Sequence, residues 1–383
     1  MKIAILLNYP LQEQIDVGHL DVLIVMYENL LKMFDEVHVV SLDDDRKYDL
    51  GNPRIIVHSL PGNKRITDIP KQILAFRKLV KQNKIDVVRV LAPVRSGFLA
   101  ASALARTGVP FVLSVHGNRH LVNKAEGTGH GPVLDTALNL SEKYTFKKAA
   151  LVAVISHYIW DYVKGLGCNE KKLFLHRNFV DTKLFKRANV PPHSTIRMVF
   201  ISRLVKVKGV DILLKAMKIA KAKSKSPLEL WIVGDGPEKP ELEKLALELG
   251  LGSSVKFLGA VKHEKLPEIL SSCDFFAAPA LAGFVLNESL ACGVPVLAAD
   301  IEWSKEVIGD DVGMLIPYGD ENSFSQGILK MIEKKGEWKR LGENARRLAE
   351  KELSKEAYEK RELGIYKKVL KLKIESKDNI GVN

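Results

Sequence analysis

Over most of its length the chain alternates short apolar runs, rich in Val, Ile and Leu, with longer stretches whose apolar residues recur every three or four positions. The runs Ile3–Leu7, Val37–Leu42, Arg54–Ser59, Asp86–Leu91, Pro110–Val115 and Leu151–Ile155 are predicted strands. Helices are predicted over Asp21–Phe34, Ile69–Gln82 and Ser96–Arg106, with another ending near Lys148 after a Gly- and His-rich loop at 117–132. In Ile69–Gln82 the residues Ile69, Ile73, Phe76 and Val80 share one face while Lys71, Lys78 and Lys81 lie elsewhere. Such alternation is the signature of a parallel sheet covered by helices on both faces.

The rhythm pauses over Asp181–Thr195, a polar stretch containing Pro191, Pro192 and His193. It resumes with predicted strands Met198–Ile201, Leu228–Val233, Val255–Leu258, Asp274–Ala278, Pro295–Ala299 and Gly313–Ile316. The intervening helices are Gly209–Lys221, Glu238–Leu249, Lys265–Ser271, a short one over about Asn287–Cys292 and another near Ser304–Ile308. At 383 residues the chain is longer than one hydrophobic core serves. The expected fold is α/β, two doubly wound Rossmann-like domains facing across a cleft, one over 1–188 and one over 189–354. Residues 355–383 are expected as a helix, about Lys355–Leu370, returning toward the first domain and ending in a frayed tail.

A formal charge of +12 and a pI near 9.3 imply an anionic partner. Much of that charge, though, is Lys interleaved with Glu on predicted helices, the pattern of a solvated face. Nucleic acid is not expected, because the basic residues are not interleaved with exposed aromatics. Cys168, Cys273 and Cys292 lie far apart with no CxxC pair, which argues against a zinc site or a disulfide framework. No His, Cys or Asp cluster has metal-ligand spacing, and Asp43, Asp44 and Asp45 read as solvated loop acids, so no metal is expected. Ile3–Leu7 is too short for the apolar segment of a signal peptide. Phe275–Leu286 falls short of a membrane span and contains Pro279 and Gly283, so a cytoplasmic protein is expected.

The chain offers one unusual carboxylate and one unusual basic loop. In Pro279–Val296, PALAGFVLNESLACGVPV, Glu288 is the only acid among small and apolar residues. It must pair within the fold or bind a polar group from outside. After strand Met198–Ile201 come Ser202, Arg203, Lys206, Lys208 and Gly209 and then a helix, an arrangement suited to a phosphate. A dinucleotide fingerprint is missing: Gly234-Asp235-Gly236 follows a strand, but Pro237 and Glu238 come next. No P-loop sequence is present either.

Taken in order, several segments resemble the retaining glycosyltransferases of GT-B fold, family 4 (glycosyl transferases group 1). These are AVISHYIWDYV with LFLHRNFVDTKLF (Phe179 standing where the family has glycine), ISRLVKVKGVDILLKAM, LELWIVGDGPEKPELEKLA, VKFLGAV, LPEILSSCDFFAAPA and LNESLACGVPVLAAD. The likeness is strong over about 150–335 and weaker before that. It implies transfer of a hexosyl group, with retention, from a nucleotide-diphosphate sugar to an unidentified acceptor (glycan, lipid or small molecule), without a cofactor or metal. Arg203 and Lys208 would hold the diphosphate and Glu288 the ribose hydroxyls. Backbone N–H groups of Phe284 and Val285, with Gly283, would approach the phosphates, and the loop at Gly259 would border the base. His116 would lie beside the donor sugar and Gly18 near the phosphates. The family's donor motif usually carries two acids, and the first of them, in contact with the sugar, falls where this chain has Ala280. The alternative implied is a catalytically silent nucleotide-sugar-binding paralogue or scaffold. Another enzyme class of like layout, an epimerase or a phosphorylase, is the third reading. For the acceptor side, the basic helix Ile69–Lys84 suggests peripheral contact with an anionic membrane, against the simpler reading of a solvated helix.

Overall fold

The computed structural model describes residues 1–16, 20–63, 65–119, 131–301 and 303–378. The chain divides into two units, Met1–His176 with Glu359–Asn383, and Arg177–Tyr358. The division falls earlier than residue 188 because the segment after His176 packs with the second unit. Val180 bridges to Ser354, Arg346 donates to the carbonyls of Thr182 (3.0 Å) and Phe185 (2.6 Å), and Phe185 is buried in that unit's core.

In the first unit the described strands are β1 (Lys2–Leu6), β2 (Glu36–Leu42), β3 (Ile55–Leu60), β4 (Val87–Val90), β5 (Phe111–Val115), β6 (Leu151–Val154) and β7 (Leu173–Leu175). They form one sheet in the order β3-β2-β1-β4-β5-β6-β7, with every pairing parallel. Strand alternation sends Ile3 and Ile5 to one core and Ala4 and Leu6 to the other, so both faces are dry. Burying each such Ile or Leu contributes about 1.5–3 kcal/mol. β7 has no counterpart among the expected strands; at three residues it is too short to show a period.

Two expectations for this unit are corrected. The final helix runs Lys355–Asp378, beyond Leu370, and its Ile365, Tyr366 and Val369 complete the core beneath β1 and β2. Two of the three loop acids are not solvated. Asp43 is ion-paired with Arg95, and Asp44 is buried, accepting bonds from the Ser41 and Tyr48 hydroxyls, each at 2.7 Å. Burial without such partners would have been prohibitive.

The second unit repeats the plan. Its strands are β8 (Ile196–Ile201), β9 (Leu228–Val233), β10 (Val255–Gly259), β11 (Phe275–Ala278), β12 (Val296–Ala299) and β13 (Gly313–Ile316). The order is β10-β9-β8-β11-β12-β13, again wholly parallel. Met198 and Phe200 face one core, Val199 and Ile201 the other. Each unit is therefore a doubly wound sheet, whose order reverses between β1 and β4 in the first and between β8 and β11 in the second. Among the described residues no helix is long and apolar enough to cross a membrane.

Candidate active site

Where a doubly wound sheet reverses its order, the loops leaving two neighbouring strands diverge and open a crevice at the strands' carboxyl ends. In the second unit those loops are 202–209 after β8 and 279–283 after β11, and every sequence-predicted residue of this unit except Gly259 falls on or just past them. Arg203 is exposed on the first loop. Lys208, half-buried, spans the divide by donating from Nζ to the Leu281 carbonyl at 2.9 Å. Lys206 is turned to Asp211 at 3.0 Å.

Helices Val210–Lys223 and Phe284–Ala291 follow these loops directly, and both begin at a glycine with no side-chain cap bond. Their first N–H groups and positive dipole ends are thus free for an anion at the crevice. Gly283 sits at φ 63, ψ −148, a backbone region closed to other residues, and it starts the second helix at Phe284, three residues earlier than expected. Phe284 is exposed and Val285 half-buried at this start.

The neighbouring loops hold the basic loop in place. Leu204 N–H donates to the Asp235 carbonyl (2.9 Å), Glu238 N–H to the Leu204 carbonyl (3.1 Å), and Gly234 N–H to the Gly259 carbonyl (2.8 Å). A Cβ on Gly234 would come within 1.9 Å of the Ser202 carbonyl oxygen, so this glycine pair serves close backbone packing. Gly259 ends β10, two strands from β8, at φ 71.

Glu288 lies one turn into the helix and is buried. Its Oε1 is 2.8 Å from His263 Nε2, and among the described residues its Oε2, closed to solvent, has no partner. The His263 ring stacks at a tilt 5.0 Å from Phe185, and the hydrogen bond to Glu288 raises its pKa. Sequence reading missed His263: no periodic signal links position 263 to 288, and only the fold brings them together. Ala280 is buried, its Cβ 3.3 Å from where a Cβ on Gly209 would stand, so the crevice floor is apolar where the resemblance would place an acid.

The other predicted residues belong to the first unit. His116 follows β5 and is exposed. Desolvation by the protein around it, and then the Arg89 guanidinium, lower its pKa. Nearby, Asn118 donates to the Tyr158 hydroxyl at 3.0 Å and Arg119 pairs with Asp135 at 3.0 Å. Gly18 lies outside the described residues. Among the described residues no group of three or more His, Cys, Asp or Glu could hold a metal ion.

Comparison with known proteins adds a family frame. The model for "Glycosyltransferase Family 4" matches residues 22–184 and that for "Glycosyl transferases group 1" matches 181–348. An uncharacterized glycosyltransferase of Methanocaldococcus jannaschii is 24% identical over 348 residues, covering 85% of this chain and 88% of its own. The Campylobacter jejuni N-acetylgalactosamine-N,N'-diacetylbacillosaminyl-diphospho-undecaprenol 4-alpha-N-acetylgalactosaminyltransferase is 27% identical over 325 residues, covering 79% of this chain and 84% of its own. The structure of Anabaena HepE in complex with UDP superimposes with a TM-score of 0.75 at 19% identity, covering 96% of this chain and all of that one (100%).

Proposed function

The chain is a glycosyltransferase of GT-B fold, related to the group 1 and family 4 enzymes, and we propose that it moves a hexosyl group with retention from a nucleotide-diphosphate sugar to an acceptor hydroxyl. The observation that carries the reading is the β8/β11 crevice, where two uncapped helix starts and two cations surround a buried carboxylate with an unused oxygen. Phosphate oxygens suit the N–H groups of Phe284 and Val285 together with Arg203 and Lys208. A ribose diol suits Glu288, both of whose oxygens can accept. For the diol to bind, His263 must release Oε1, and its ring, with 57% of the side chain exposed, has room to leave.

In the reaction the bond from the anomeric carbon to the phosphate oxygen breaks as the acceptor oxygen bonds to that carbon on the same face. The acceptor proton passes to the departing phosphate, giving a nucleoside diphosphate and the glycosylated acceptor. The charge that grows on the leaving diphosphate is what Arg203, Lys208 and the helix starts neutralise. In the first unit, the depressed pKa of His116 keeps its ring neutral. The three buried, unbridged cysteines suit a cytoplasmic site of action.

A panel of UDP-, GDP- and ADP-sugars tests the reading, with thermal shift for binding and release of nucleoside diphosphate for turnover. Turnover with one donor, lost in Arg203→Ala and Lys208→Ala, is the expected result. The second reading, a silent nucleotide-sugar-binding paralogue, rests on Ala280, whose buried methyl group leaves no acid on the crevice floor. Binding without turnover for every donor would establish it and sink the first.

A further inference from the structure

The second unit has a hollow at the edge of its sheet opposite the β8/β11 crevice. A cavity of 810 Å³ lies against the amino-terminal ends of β11 and β12, where Asp274 and Pro295 line it. That size is within the range of small-molecule pockets, about 300–1,000 Å³. One wall is the helix Trp338–Leu348 and another the segment at Lys186 and Arg187.

The floor is flat and dry. Gly293 and Gly342 meet there backbone to backbone, and a Cβ on Gly342 would stand 2.3 Å from the Gly293 carbonyl oxygen. Gly293 itself has φ 65, so bare main chain forms this part of the cavity. The Gly293 N–H donates to the Leu290 carbonyl (3.0 Å), and its own carbonyl accepts from Arg187 Nη1 (3.0 Å). Cys292, Pro295 and Trp338 extend the floor with apolar surface. The Trp338 indole is fixed by its Nε1, which donates to the Met331 carbonyl at 2.9 Å, and by the Phe275 ring at 6.1 Å. A fixed indole beside a flat floor favours the face of another ring.

The rim is basic. Lys186, Arg187, Lys339, Arg346 and Arg347 line the cavity against two acids, Asp274 and Glu343. Arg346 is spent within the fold, on the carbonyls of Phe185 and Ala291 (each 2.6 Å) and on Glu350 (2.7 Å). Among the described residues none of the other four has a carboxylate at ion-pair distance, and Lys186 and Lys339 are exposed. Asp274 is turned to the strand, its Oδ2 accepting the Arg197 N–H at 2.8 Å. A phosphate dianion is the group that several such cations can share.

We propose that this cavity binds a flat aromatic phosphate monoester, its ring over the glycine floor beside Trp338 and its phosphate at Lys186, Arg187 and Lys339. The inference is independent of the transferase reading, because its readout is binding and its site lies at the other edge of the sheet. The full chain is titrated calorimetrically with naphthyl phosphate. Binding that weakens with added salt is expected. Inorganic phosphate and naphthol, the two halves of the probe, each bind about tenfold or more weakly than the whole. The variant Lys186→Gln/Lys339→Gln keeps the parent's Tm, since both side chains are exposed, and lowers affinity about tenfold or more. Arg203→Ala/Lys208→Ala, in the crevice, binds the probe as the parent does. Tryptophan emission, quenched by the probe in the parent, is quenched less in Trp338→Phe. The proposal is overturned by a parent that does not bind, by equal affinity in the glutamine variant, or by an equal loss in the crevice variant. Undiminished quenching in Trp338→Phe would overturn it too, as would inorganic phosphate binding as tightly as the probe.

Discussion

Glu288 holds a carboxylate in an apolar helix with one oxygen on His263 and the other, among the described residues, without a partner. Leaving a buried acceptor unsatisfied costs about 1–3 kcal/mol, so the site is kept at the expense of stability. Two predictions belong to this residue. Glu288→Gln weakens nucleotide-sugar binding in a thermal-shift titration while holding or raising the Tm of the ligand-free protein; undiminished binding would remove Glu288 from the ribose. The His263 contact carries a pH dependence. Its pKa is raised above the ordinary 6.5, so the stability it adds is fully present below that value and is lost as pH rises through the raised one. The Tm gap between the parent and His263→Ala should therefore narrow as pH rises above 6.5 through the raised pKa, and donor affinity should rise over the same interval as Glu288 is released. Arg203→Ala and Lys208→Ala should each lower kcat by about 10²–10³-fold, the usual loss for one group stabilising developing negative charge. For the exposed Arg203 the Tm should stay level. Glu288, Arg203 and Lys208 were legible because an acid in an apolar run and cations before a helix are local patterns. His263 was not, because its meaning depends on a partner 25 positions away.

The same contrast governs the elements. Twelve of the thirteen described strands stood out as apolar runs of four residues or more, and only β7 was too short to register. The start of the helix Phe284–Ala291 was misjudged because its cap is a backbone device: Gly283 at φ 63 turns the chain, with no capping side chain to announce it. Gly283→Ala should cost about 1–3 kcal/mol by the strain of that conformation and misdirect the N–H groups of Phe284 and Val285. Calorimetry and donor titration should thus fail together. Gly234→Ala should be harsher, because its methyl group would meet the Ser202 carbonyl at 1.9 Å, a contact with backbone that no rotamer change relieves. Loss of the second unit's melting transition is the expected outcome.

At the scale of the molecule, two sheets with separate cores predict two unfolding transitions. The alternation of runs and helices made both sheets legible; the boundary at His176 and Arg177 was not, since Val180 and Phe185 are claimed by contacts with residues after 345. Residues 177–358 expressed alone should melt as one cooperative unit. Glu362→Ala, which strips the buried Arg89 of its carboxylate, should lower the other transition by about 3–5 kcal/mol.

That ion pair also sets a timetable. The ribosome makes Arg89 first and Glu362 only 273 residues afterwards, once the whole of Arg177–Tyr358 has been synthesised. The second unit has all of its strands by Ile316 and all of its residues by Tyr358, before any residue of Glu359–Asn383 has been made. The first unit emerges earlier yet waits longer, its sheet lacking Glu362, Tyr366 and Val369 until the last helix leaves the exit tunnel. During vectorial synthesis the half begun first is therefore the half finished last, and a premature stop between Tyr358 and Glu362 leaves a complete second unit attached to an unsealed first one.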